Sequence, residues 1–188
     1  MTILIAGLVL FLGAHGFTTL RATRATTIGR LGEGPYKGLY SLASAAGLVL
    51  IVWGFARYRG GGYVPVWDPP IWLHPMALVL MWFSFVALAA TYAPAGMIKG
   101  LLRHPMLVGI KAWALAHLLV NGDLGSMILF GSFLAWAVYD RIAVKRRGDP
   151  GASRSSVTAG DAVALLVGSA AYAAMFWLHP WIIGVPIT

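Results

Sequence analysis

The chain has 188 residues, 59% of them apolar and only 11% charged, with a net charge of +8. That much apolar surface cannot face water as a globule, so the chain reads as one polytopic membrane domain spanning residues 1–188. With no cysteine, disulfides, thiolate metal sites, iron–sulfur clusters and cysteine nucleophiles are excluded.

The first run, TILIAGLVLFLGAHGFTTL from Thr2 to Leu20, is uncharged and long enough to cross a bilayer. Its charges follow it, at Arg21 and Arg24, rather than preceding it as in a secretory leader, so a retained first helix is expected. Five more helical spans follow at Leu39–Phe55, Ile71–Tyr92, Pro105–Val120, Leu124–Tyr139 and Ala162–Trp181. None shows the alternation of a membrane barrel. The expected fold is therefore an all-α bundle of six transmembrane helices. Pro105 fits the first turn of span four, and Asn121-Gly122-Asp123 is a tight turn between spans four and five. The polar, Gly- and Ser-rich segment beginning at Lys145 predicts a flexible cytoplasmic loop over 145–159, and Thr158 with Asp161 predicts a cap on span six.

Charge sets the orientation. Eleven of the 14 basic residues fall in the connections on one side: Arg21, Arg24, Arg30, Lys37, Lys99, Arg103, Arg141, Lys145, Arg146, Arg147 and Arg154. The other side holds Arg57 and Arg59, and Lys111 lies within a span. By the positive-inside rule the rich side is cytoplasmic and both termini are periplasmic, which places Trp53, Trp67, Trp72, Trp177 and Trp181 near the outer interface. Basic residues placed between spans, not along one soluble face, argue for a lipid bilayer and against nucleic acid as the partner.

Ionisable side chains within spans usually face the protein interior, so they are the candidate site. His74 and His179, in the two WLHP tetrapeptides, fall at span ends and read as interfacial residues. His15 and His117 instead lie inside their spans. Imidazole is an iron ligand, and a core of Leu, Phe, Trp and Ala is where helical bundles hold haem; a hydrogen bond to a neighbouring carbonyl is the plainer role for each ring. Trp113, His117 and Asn121 recur every fourth residue and share a helix face. By rise per residue, His15 sits roughly 8 Å from the cytoplasmic end of its span, Lys111 roughly 10 Å and His117 about 20 Å. One haem on both histidines thus requires tilted helices or a tilted ligand axis. An intramembrane lysine needs an anion, a water path or a lowered pKa; a haem propionate or a substrate acid group would serve Lys111, as would snorkelling to the interface.

The blocks GAHGFTTLR (13–21), RLGEGPYKGLYSLASAAGLVLIVWG (30–54) and LRHPMLVGIKAWALAHLLVNGDLGSMILFGSFLAWAVYDR (102–141) resemble the NnrU proteins of denitrifying and other proteobacteria. The resemblance implies a bacterial inner-membrane protein associated with nitrite and nitric oxide metabolism. The zeta-carotene isomerases look like distant relatives that hold haem b between membrane helices. Carried over by position, their iron ligands fall on His15 and His117. A cysteine proposed as a substitute ligand in those isomerases falls on Ala114, so a Cys-for-His ligand switch cannot operate here.

RHPMLVG at 103–109 is similar to the RHPxxxG segment with which membrane methyltransferases help bind S-adenosylmethionine. Those enzymes also use a later glutamate. No glutamate follows Glu33 in this chain, and the downstream acids include Asp123 and Asp140. The leading expectation is thus a haem b protein serving a redox or isomerisation step on a small or lipophilic substrate, compatible with an oligomer. His15 and His117 would bind the metal, with Lys111 or Arg103 at a propionate or substrate. The alternatives are a methyltransferase using Arg103 and His104, and a non-catalytic accessory or transport protein.

Overall fold

The computed structural model describes residues 1–153, 156–185 and 187. Arg154, one of the basic residues assigned to the cytoplasmic side, lies outside them. The described chain is helical throughout: α1 (Thr2–Phe17), α2 (Arg21–Leu31), α3 (Glu33–Gly60), α4 (Leu73–Tyr92), α5 (Met97–Leu102), α6 (Pro105–Val120), α7 (Leu124–Arg146) and α8 (Ala159–Ile183). The described residues form no sheet, only an isolated bridge between Pro65 and Asp123.

Helices α3, α4, α7 and α8 are long and apolar enough to cross a membrane, and the bent pair α1–α2 brings the number to five. Each expected span coincides with a helix. At 16 residues each, however, α1 and α6 reach only about 24 Å, against a hydrocarbon slab of about 30 Å. The first helix ends at Phe17 rather than Leu20. Thr18 and Thr19 turn their hydroxyls back onto the carbonyls of His15 and Gly16, at 2.7 Å each, which satisfies the helix end. The chain then bends by 91° into the polar, unburied α2.

The chain divides into two compact units, one of Met1–Pro69 with Asn121–Arg147, the other of Pro70–Val120 with Gly148–Thr188. In the first, α1 packs closely along α3. A Cβ at Gly47 would lie 2.7 Å from the Phe11 backbone nitrogen, and one at Gly54 would collide with the Leu4 backbone. Small residues let membrane helices approach to backbone contact, where dispersion and not hydrophobic burial holds them. Phe133 of α7 meets Phe11 of α1 at 5.7 Å. The segment before α7 is held by backbone bonds from Val66 to Gly122 (2.8 Å) and from Leu124 to Val64 (2.9 Å). Asp123 caps α7 through the Ser126 amide at 2.9 Å.

In the second unit α4 is the hub, packed by α6 and α8. Gly168 of α8 lies against the Val86 backbone, and Ser84 donates to the Gly109 carbonyl at 2.8 Å. Pro105 opens α6 as expected. The expected cap on the last helix is a full capping box: the Thr158 hydroxyl accepts from Gly160, and Asp161 accepts from the Thr158 amide at 2.8 Å. The same carboxylate also takes the amides of Met97 (3.0 Å) and Ile98 (2.7 Å), tying α5 to α8. Lys99 donates to the carbonyls of Thr91 and Ala93, both at 2.9 Å, closing the C-terminal end of α4 where a cation is favoured.

Large apolar side chains point outward, among them Leu166 (72% exposed) and Trp181 (87%), while buried positions are rich in Ala, Gly and Ser. Lipid tails are as apolar as leucine, so close packing and interhelical hydrogen bonds, not hydrophobic burial, reward a helix interface in a bilayer.

Candidate functional site

His15 occupies the last turn of α1. Its Nδ1 donates to the Phe11 carbonyl, 2.7 Å away and one turn earlier, so the neutral ring carries its lone pair on Nε2. No hydrogen bond to that nitrogen forms among the described residues. The ring stacks on Phe11 at 4.2 Å, lies 5.4 Å from Tyr40 of α3, and meets Trp136 of α7 edge-on at 5.7 Å. Three helices therefore hold one imidazole in a defined tautomer. A ligating histidine needs this arrangement, with the second nitrogen fixed by a carbonyl and the ring fixed by packing.

In the second unit, His117 repeats the local pattern on α6. Its Nδ1 donates to the Trp113 carbonyl at 2.9 Å, and the Trp113 ring lies 5.3 Å away. Trp113 and His117 thus share a face as the four-residue spacing predicts, while Asn121 lies beyond the end of α6 at Val120. Lys111, half-buried on the same helix, makes no hydrogen bond or ion pair among the described residues. No group of three or more His, Asp or Glu able to hold a metal ion forms among the described residues.

Arg103 is strained. It has φ 59° and ψ −49°, and the His104 amide reaches back to the Leu102 carbonyl at 2.6 Å. This is a γ-turn of the uncommon, strained hand. The Arg103 carbonyl accepts from Ala152 at 2.9 Å, and Gly151 lies so close that a Cβ there would be 2.6 Å from His104 Nε2. That nitrogen is buried with no hydrogen-bond partner among the described residues. His74 and His179 make local bonds, to the carbonyls of Ile71 (3.2 Å) and Val185 (2.8 Å).

Beside His15, in the first unit, a cavity of about 440 Å³ opens where α1 gives way to α2, α3 begins and α7 ends. Arg21 and Arg24 reach it from α2, Lys37 from α3, and Arg147 from the end of α7. Asp140 is the one carboxylate among its described lining residues. Tyr40 borders both this cavity and the His15 ring. Tyr36, only 8% exposed, lines it with a buried hydroxyl that has no partner among the described residues. In the sequence Arg21, Arg24, Lys37 and Arg147 read as topological charges. Their convergence depends on the 91° bend after α1, which no residue pattern announces.

Long apolar helices with large side chains outward and polar groups turned inward define a multi-pass helical membrane protein. More narrowly, the chain belongs to the NnrU family: the family described as "NnrU protein" matches residues 3–187. No curated protein and no solved structure matches it.

Proposed function

We propose that this NnrU family member is a haem b protein of the bacterial inner membrane, with His15 and His117 as iron ligands, serving a redox or isomerisation step on a small or lipophilic substrate. The proposal includes six spans with both termini periplasmic, and a link to nitrite and nitric oxide metabolism. The observation that carries it is the His15 imidazole: Nδ1 tied to the Phe11 carbonyl, aromatic rings from three helices around it, and Nε2 without a hydrogen bond among the described residues. The matching Nδ1 bond of His117 to Trp113 supports the second ligand. Bound haem would supply one-electron chemistry or an electrophilic iron centre. The chain's own part is to present a neutral imidazole, orient it, and exclude water with Phe11, Trp136 and Phe133. Lys111 and Arg103 are the proposed partners of a propionate or substrate acid group.

The test is a visible spectrum of detergent-purified protein from cells supplied with iron and haem precursor. A Soret band that shifts on reduction is expected. Full-length folded protein without haem overturns the reading.

One observation favours a second reading. The strained Arg103 turn, and a buried His104 Nε2 with no hydrogen-bond partner among the described residues, would suit a segment that holds a ligand, as in a methyltransferase binding S-adenosylmethionine. Calorimetry with that cofactor separates the two.

A further inference from the structure

The cavity in the first unit has more donors than its one lining carboxylate, Asp140, can satisfy among the described residues. Arg21 and Arg147 line it and form no ion pair among the described residues, with Asp140 or any other acid. Arg24 lies with its guanidinium 5.6 Å over the Tyr36 ring, and Lys37 is partly engaged by Glu33 at 2.7 Å. With Lys37 paired to Glu33, three arginines face one lining carboxylate, and the lining keeps a net positive charge. The buried Tyr36 hydroxyl adds a donor whose partner is missing among the described residues, and a buried hydroxyl left unpaired is costly. A ligand that satisfies this set must be an anion with lone pairs facing several directions.

We propose that this cavity is a phosphoryl-binding site. Guanidinium groups converging from α2 and the end of α7 suit a tetrahedral oxyanion, which accepts forks from more than one side. At about 440 Å³ the cavity has room for a group attached to the phosphate, and Asp140 offers an acceptor to a hydroxyl or ammonium on that group. Its position adds to the chemistry. The cavity lies where the apolar runs of α1, α3 and α7 meet polar sequence, and α2 leaves α1 at 91°, as a helix lying along a membrane surface does. A phospholipid headgroup and a free phosphate ester share the recognised chemistry. The site does not depend on iron at His15, although Tyr40 connects the two places.

The test uses the detergent-purified full chain. Native mass spectrometry follows retention of added phosphatidylglycerol against phosphatidylcholine, and calorimetry follows inorganic phosphate and glycerol phosphate. Arg21→Gln and Arg147→Gln, both at exposed positions, should each weaken binding about tenfold, because a hydrogen bond to a charged partner is worth about that factor or more. Tyr36→Phe should weaken it severalfold, and Arg59→Gln, at the far end of α3, should leave it unchanged. Retention of the anionic lipid that falls in the two arginine variants supports the site with a lipid source. Binding of the soluble phosphates alone, with the same losses, supports it with a free ester. No binding of any probe, or binding indifferent to Arg21, Arg147 and Tyr36, overturns it.

Discussion

His15 gives its Nδ1 hydrogen to the carbonyl of Phe11, 2.7 Å away, and the Phe11 ring stacks on the imidazole it positions at 4.2 Å. One residue thus sets both the tautomer and the tilt of the ring. The same division of labour recurs between His117 and Trp113, at 2.9 Å.

If both imidazoles hold iron, His15→Ala and His117→Ala each lower haem occupancy in a reduced-minus-oxidised spectrum. His74→Ala and His179→Ala, whose rings bond local carbonyls, leave it at the parent level. Lys111→Met weakens haem retention roughly tenfold if that lysine faces a propionate. Equal spectra across all five variants would exclude these residues.

The γ-turn at Arg103 predicts a stability gain. A residue at φ 59° costs on the order of 1–3 kcal/mol, and glycine removes that strain while losing some backbone entropy. Arg103→Gly should raise the thermal midpoint, with a net gain of about 1 kcal/mol. His104→Ala should leave at least part of the haem bound. Saturable binding of S-adenosylmethionine in the parent, abolished by His104→Ala, would replace the haem reading with the methyltransferase one.

Gly47→Val drives a side chain into the Phe11 backbone. The seam between α1 and α3 must open, at a cost of about 1–3 kcal/mol, measured as a lower midpoint of unfolding in detergent. Gly38→Val, where no heavy atom outside its own turn comes within 4 Å, is the control and should change little.

The charge bias predicts that a reporter inserted at Asp149 faces the cytoplasm and one fused at the C-terminus faces the periplasm. Both reporters on one side would mean that α8, at 25 residues, does not cross.

Much of the fold was legible because a bilayer imposes a one-dimensional rule: about 20 apolar residues per crossing, with breaks wherever charges gather. That rule found a helix for each expected span; local helix-end chemistry gave the start of α6 at Pro105 and the Thr158–Asp161 cap. The bilayer rule also marked His15 and His117, since an ionisable group in an apolar run is visible without coordinates. Local side-chain bonding and tertiary packing decided the rest. Phe17 ends α1 because two threonine hydroxyls satisfy its last carbonyls, and the bend that follows turns Arg21 and Arg24 toward Tyr36. Gly151 sits against His104, and Ala152 bonds the Arg103 carbonyl, through a loop docked on a turn more than 40 positions away in sequence. Spacing along a chain encodes which side of a helix a residue shares. It does not encode where a bend points that helix, and the meeting of Arg21, Tyr36 and Arg147 around one cavity is set by such a bend.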